Sequence, residues 1–304
     1  MYLQAQRTTI GRKGTGMPCA PTFSVVDLLP INGEIPQSHL IVILKSYFDG
    51  GNEADSTQYD VVTLASVSGT TSQWRPFESE WKAILAKHKA PWLHTTDSVT
   101  FNKPFTRDAG WNEEKRDSFL SECVELFAKH NAVPIGDKDP PREGLLPFTV
   151  SIVLQDFKLA RDANPEVPKN ATEILAVQAL YASLEWGRSR GVDFWYLIFD
   201  QNEPYRGHVS DRKRNPKAVK QVPLMDRVTH VGESDMRNVP ALQIADLFAW
   251  CVSHKEKYLH KWQNDLLTLP RFDEWIEYGA AVRPIAGMAE LVKSWKLPRR
   301  RPTR

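Results

Sequence analysis

Two long apolar runs interrupt a chain that otherwise alternates short hydrophobic stretches with polar turns. The first, Leu40-Ile41-Val42-Ile43-Leu44-Lys45-Ser46-Tyr47-Phe48, ends at Asp49-Gly50-Gly51-Asn52. The second, Phe194-Trp195-Tyr196-Leu197-Ile198-Phe199, closes on Asp200. Runs of this composition, bounded by turn formers, predict strands buried on both faces of a sheet. Asp60 to Val67 predicts a strand that pairs antiparallel with the first. Phe77, Trp81, Ile84, Leu85 and His88 fall at helical spacing, which predicts an amphipathic helix over 76–88. Asn112, ahead of Glu113 and Glu114, can cap a helix carrying Phe119, Leu120, Cys123, Val124 and Phe127.

A third helix is predicted from Thr172, as its cap, to Arg190, with Ile174, Leu175, Val177, Leu180, Tyr181 and Leu184 on its apolar face and Gly191 ending it. Pro240 opens a helix running to His254. Val133 to Ile135 reads as a strand, Phe148 to Leu154 as a helix, and 257–268, 271–278 and 284–295 as further helices. A helix feeding directly into a buried strand makes the fold class α/β, a mixed sheet flanked by helices with additional C-terminal helices. The expected organisation is a loosely ordered arm over 1–38 with a short strand at Phe23 to Leu29, a main domain over 39–256, and a helical extension over 257–304 ending in the basic tail Arg299 to Arg304.

Composition narrows the class without naming it. Lys and Arg total 39 against 37 Asp and Glu, a net charge of +2, so attraction to nucleic acid must come from local patches. Cys19, Cys123 and Cys251 form no CxxC pair, which argues against a disulfide scaffold or a thiolate zinc site and fits a reducing cytoplasm. No apolar run is long enough to span a bilayer, and the N-terminus lacks the apolar core of a signal peptide, so no membrane partner is expected. Gly-x-Ser-x-Gly, a P-loop, a dinucleotide fingerprint and zinc-ligand spacing are all missing from the sequence.

Candidate chemistry lies in the acids. Asp49 and Asp200 each follow a buried strand, where α/β sheets place ligands. If the strands are neighbours, two carboxylates enter one crevice and repel unless a cation separates them. Magnesium or manganese, taking oxygen ligands and leaving positions for water and phosphate, is the matching ion. The alternative for both acids is a turn-capping role. Asp246 sits inside Leu242-Gln243-Ile244-Ala245-Asp246-Leu247-Phe248-Ala249-Trp250, where a charge is costly unless paired or metal-bound. Its alternative is a buried salt bridge or a hydrogen bond to a neighbouring backbone group.

The segment Leu242-Gln243-Ile244-Ala245-Asp246-Leu247 resembles the signature of the prokaryotic family known as domain of unknown function 3800. That family opens with a strand ending in Asp-Glu-Ser-Gly, matched here by Phe48-Asp49-Gly50-Gly51. Its Glu-x-His or Glu-x-Lys element is matched by Trp92-Leu93-His94-Thr95-Thr96-Asp97, and its mid-chain strand by Leu197-Ile198-Phe199-Asp200. The resemblance covers about residues 40–255. It implies a ribonuclease H-like fold, metal roles for Asp49, Asp200 and Asp246, and phosphodiester hydrolysis with two ions about 3.5–4 Å apart, Asp49 bridging them. The chain departs from the pattern twice: Glu is missing after Asp49, and Trp92 takes the place of the second acid. Asp97 is the candidate replacement for that acid.

Around these acids, His94 is a candidate proton shuttle or substrate contact near Asp97, and Glu203 an additional ligand. The stretch with Arg206, His208, Arg212, Lys213, Arg214, Lys217 and Lys220 reads as a basic loop able to grip a phosphate backbone, or simply a solvated one. The leading expectation is a Mg2+- or Mn2+-dependent nuclease acting on RNA or DNA. The alternative is a non-catalytic module that binds nucleic acid or protein through a degenerate site.

Overall fold

In the computed structural model the chain divides into two units, Met1–Leu40 and Ile41–Arg304. The residues described are 42–51, 61–132, 143–163, 168–189, 191–201, 203–222, 224–255, 260–269 and 272–276. The arm over 1–38, the strand at Phe23 to Leu29, the strand at Val133 to Ile135, the helix over 284–295 and the basic tail lie outside them.

Three strands come first in the sheet, β1 (Ile43–Gly51), β2 (Val61–Thr70) and β3 (Leu146–Val153), each antiparallel to the next. Strand β4 (Phe194–Asp200) returns parallel beside β1, and β5 (Val228–Ser234) lies parallel beside β4. The order β3-β2-β1-β4-β5 with this polarity is the ribonuclease H-like arrangement, and β6 (Phe272–Ile276) adds a parallel edge strand beside β3. Both expected buried runs are adjacent central strands, which is why their side chains are apolar on both faces.

The period of two divides the side chains between two cores. Leu44, Phe48, Leu64, Val150, Trp195 and Phe199 point to one face, against helix α5 (Ala171–Ser189). Tyr47, Ala65 and Val67 point to the other, against α1 (Thr71–His88), α3 (Glu113–His130) and α8 (Pro240–Ser253). Between α1 and α3 lies the short helix α2 (Thr95–Thr100). Helices α4 (Leu154–Ala163), α6 (Tyr205–Arg214) and α7 (Pro216–Gln221) belong with the α5 side by sequence order, and α6 sends Tyr205 and Val209 into its core.

Several local signals act as expected. Asn112 caps α3, its Oδ1 accepting from the Lys115 N–H at 2.8 Å. Gly191, at φ +69°, ends α5, and Pro240 occupies the first turn of α8. Others are corrected. Thr172 does not cap α5: it lies inside the helix, and its hydroxyl meets His208 Nε2 at 3.0 Å. Phe148 to Leu154 is not a helix but most of β3, because Thr149, Val150, Ile152 and Val153 suit a pleated, covered position. The helix expected over 271–278 is β6, which completes the sheet edge. Helix α9 (Lys261–Thr268) falls within the expected 257–268 helix and packs against α3 and α8, with Trp262 Nε1 donating to Asp117 Oδ1 at 3.1 Å. Among the described residues no helix is long and apolar enough to cross a membrane.

Candidate active site

Parallel pairing of β1 with β4 runs to Phe48 opposite Phe199, so Asp49 and Asp200 are the next residues along two touching strands. Both point to the α8 face, since Tyr47 and Ile198, two positions back, pack there. Helix α8 crosses that face closely. A Cβ on Gly51 would stand 2.6 Å from the Ala249 carbonyl oxygen and would also collide with Ser253 Oγ, so only glycine admits the helix. Opposite α8, β2 and β3 carry the small residues Thr63, Ala65, Thr149 and Ser151. The helix therefore brings Asp246 beside Asp49, close enough for each carboxylate to act on the ionisation of the other.

The three aspartates meet at one end of the sheet. Asp49 is 3% exposed and Asp246 6%. Burial raises the Asp49 pKa well above the carboxylate range, and Asp246, Glu203 and Asp200 raise it further, against one opposing hydrogen bond from the Gly50 N–H. Asp246 is also raised by burial, opposed by His94, by the hydrogen bonds from Thr95 and by the neighbouring Asp49. Asp200, half-buried, is raised mainly by burial, against hydrogen bonds from the Gln201 and Met236 amides. None of the three forms an ion pair with Lys or Arg among the described residues. Of the two alternatives for Asp246, the salt bridge is set aside, while the backbone hydrogen bond is present, from the Thr95 N–H at 2.6 Å.

Neutral donors hold the acids in place. Asp246 Oδ2 accepts from the Thr95 N–H at 2.6 Å and the Thr95 hydroxyl at 2.7 Å, at the start of α2. Asp200 Oδ1 accepts from the Met236 N–H at 2.9 Å. Both donor segments are tied to one residue that the sequence pattern did not single out. Gln243, fully buried on α8, accepts from the Leu93 N–H at 3.0 Å and from Trp81 Nε1 at 2.8 Å, and its Nε2 donates to the Met236 carbonyl at 2.8 Å. Its signal was available: an amide inside an apolar helical run needs partners.

The second acid of the resemblance is met differently from expectation. Asp97 does not join the pair; its Oδ2 binds His94 Nδ1 at 2.7 Å. His94 thus stands between Asp97 and the acid cluster. Burial, the largest single influence, lowers its pKa, but Asp246, Asp97 and Asp200 together outweigh burial and raise it. Glu203 does come to the site. Its Oε2 lies 2.9 Å from where a Cβ on Gly50 would be, beside the Tyr205 ring. Gly50, next to Asp49, has no side chain of its own, and a carboxylate from the β4–α6 loop occupies the adjacent space.

The basic stretch is not a loop. Arg206, His208, Arg212, Lys213 and Arg214 lie on α6, and Lys217 and Lys220 on α7. Arg206 Nε pairs with Glu233 at 3.0 Å, Arg212 Nη2 with Glu173 at 3.1 Å, and Arg214 Nη1 with Asp211 at 3.8 Å. Lys213 is partly buried, with its pKa lowered by that burial, and Lys217 is exposed. Helix α6 packs on α5, on the face opposite α8, and of its arginines Arg206 reaches Glu233, in register with Phe199 beside Asp200.

The side chains as placed form, among the described residues, no group of three or more His, Cys, Asp or Glu with metal-holding geometry. The donor chemistry nevertheless fits a hard divalent ion: all-oxygen, carboxylate and buried, with the acids opposing one another's ionisation, an opposition that a cation between them would relieve. Asp49, Asp246 and Asp200, with Glu203 adjacent, are the residues that would hold it. Comparison with family models, with curated proteins and with solved structures found no match.

Proposed function

We propose that the chain is a metal-dependent phosphodiesterase acting on RNA or DNA, with Mg2+ or Mn2+ held by Asp49, Asp200 and Asp246. One observation carries this reading: three carboxylates from β1, β4 and α8 are gathered at one end of a ribonuclease H-like sheet, and no lysine or arginine ion-pairs with them among the described residues. Unneutralised buried acids cost stability and are kept where a cation is bound. When bound, such an ion supplies an activated water and neutralises charge on the phosphate. The chain's own residues do the rest. Thr95 and the Met236 amide fix the orientation of Asp246 and Asp200, and Gln243 fixes those donors. His94, oriented by Asp97 at the half-exposed rim, is placed to give or take a proton at the leaving oxygen. The resemblance to the domain of unknown function 3800 family points the same way.

Calorimetric titration with MgCl2 and MnCl2, alongside cleavage of labelled RNA and DNA, tests the reading. Wild type should bind metal and cleave, and Asp49→Asn and Asp246→Asn should lose both. Cleavage that survives both substitutions would falsify the assignment. The non-catalytic alternative is favoured by Gly50 and Trp92, which stand where the resemblance would put acids. It predicts nucleic-acid or protein binding that EDTA does not change, with no cleavage.

A further inference from the structure

Beside the acid pocket lies an arginine that no sequence motif marks. Asp235 caps the 3-10 turn Met236–Asn238, its Oδ1 accepting from the Arg237 N–H at 2.9 Å. The same carboxylate grips the Arg237 side chain: Nε stands 2.9 Å from each oxygen and Nη2 2.5 Å from Oδ2. The turn is also fastened to the site, since the Met236 N–H donates to Asp200 Oδ1 at 2.9 Å and the Met236 carbonyl accepts from Gln243 at 2.8 Å. Arg237 is thus one peptide away from a hydrogen bond to a candidate metal-holding acid, and its guanidinium is fixed in direction.

Asp235 is its only hydrogen-bonding partner among the described residues, so Nη1 and one hydrogen of Nη2 remain to donate. The side chain is 59% exposed while Asp235 is 20% exposed. A guanidinium of this kind suits one ligand chemistry best. Its fork matches two oxygens of a phosphate, and prior orientation removes much of the entropy cost of binding. The adjacent acids repel a polyanion, so a strand entering the pocket needs a fixed positive group at the rim. Of the α6 arginines, Arg212 and Arg214 are paired with Glu173 and Asp211, and Arg206, nearer the Asp200 end of the sheet, is paired with Glu233.

We propose that Arg237 binds a nonbridging phosphate oxygen of a nucleic-acid strand, at the phosphate adjoining the one presented to Asp49, Asp200 and Asp246. This rests on the phosphodiesterase reading and adds to it the residue that positions the strand. The test is fluorescence anisotropy with end-labelled single- and double-stranded RNA and DNA, in Ca2+ in place of Mg2+, over a range of KCl. Arg237→Ala should weaken binding roughly tenfold. It should also lower the slope of log affinity against log salt by about 0.7–0.9, the share of one phosphate contact. Arg237→Lys, which keeps the charge and the fold, should retain the slope and lose only part of the affinity. Lys87→Ala, removing an exposed cation paired to Glu122 on α1, should change neither. Wild-type affinity and slope in Arg237→Ala would overturn the proposal while leaving cleavage by wild type, and so the phosphodiesterase reading, intact. Failure of wild type to bind any of the four oligonucleotides would overturn both.

Discussion

Helices α5 and α8 cover opposite faces of one sheet and are buried almost along their whole length, yet only one carries a charge inside. On α5, Ile174, Leu175, Leu180 and Leu184 share a core with Leu44, Phe48, Leu64 and Val150, and the polar residues it buries, Thr172, Gln178 and Ser183, are uncharged. On α8 the same depth holds Gln243 and Asp246, and the surrounding chain is arranged to satisfy them. The contrast separates two uses of a buried helix. One closes a core; the other brings a carboxylate to two strand ends at a cost in stability that packing elsewhere must offset.

The largest effect expected from that contrast is on chemistry. Asp246→Asn should reduce cleavage by about a thousandfold or more, the scale for losing one member of a set that acts together. The variant should remain folded, because an asparagine at that position still accepts from Thr95. Single-turnover assays with circular dichroism on the same sample would check both. Next in size, Leu180→Ala on α5 should lower stability by about 2–5 kcal/mol through cavity formation. Metal affinity of the folded fraction should be unchanged. If Leu180→Ala altered metal affinity as strongly as Asp246→Asn does, the division of labour between the helices would be wrong.

Much of this division was legible in the sequence, and the reasons are local. The β1 and β4 runs, the capped α3, and α8 behind Pro240 each carry their signal within a short stretch, and Asp49, Asp200 and Asp246 stand out against apolar neighbours. Strand β3 was not recognised, although Phe148, Val150 and Ile152 alternate with Thr149 and Ser151 at the period of a strand, because the short run reads as a helix. Nor was β6, whose Asp273 and Glu274 suit an edge strand as well as a helix. The supports of the site were hidden for another reason. Thr95 to Asp246 and Leu93 to Gln243 are hydrogen bonds across about 150 residues of chain, which no spacing in the sequence encodes. Similarly, the Glu203 carboxylate beside Gly50 is a coincidence of space, set by the turn into α6.

Gln243 sharpens the comparison at intermediate size. Gln243→Leu preserves apolar volume but strands the Trp81 indole N–H, the Leu93 N–H and the Met236 carbonyl. Stability should fall by roughly 2–3 kcal/mol, the range for buried groups left without partners. The Thr95 amide, now in a 2.6 Å hydrogen bond to Asp246, should move upfield in a proton–nitrogen NMR spectrum. A merely lost packing contact would leave that amide in place. In the opposite direction, Asp49→Asn in EDTA should raise stability by about 1 kcal/mol, or about 2 °C in Tm, by removing the most strongly opposed buried charge. A fall in Tm would mean that the contacts of the Asp49 carboxylate, including the hydrogen bond from the Gly50 N–H, outweigh its repulsion by the neighbouring acids.

The smallest effects lie in the pH dependence of two histidines, one on each side of the sheet. Burial lowers the pKa of both. For His208 on α6, burial wins over Glu173 and Asp211, with Arg212 assisting, and the pKa stays below its ordinary value. For His94, the acids Asp246, Asp97 and Asp200 win, and it rises. The linkage signs are therefore opposite. The unfolded chain takes up a proton at His208 before the folded chain does, so this residue removes stability as pH falls below the ordinary histidine value near 6.5. The folded chain keeps the His94 proton longer, so its contribution is complete below about 6.5 and is lost as pH rises through the folded value. Urea melts in EDTA between about pH 5 and 8.5 should show His208→Gln flattening the acid side of the profile and His94→Gln the alkaline side. Both histidines are partly exposed, so solvent screening keeps each change small, and the sign carries the information. Both substitutions flattening the same limb would mean that the acids do not reach His94, and that the face under α8 is electrostatically no different from the face under α5.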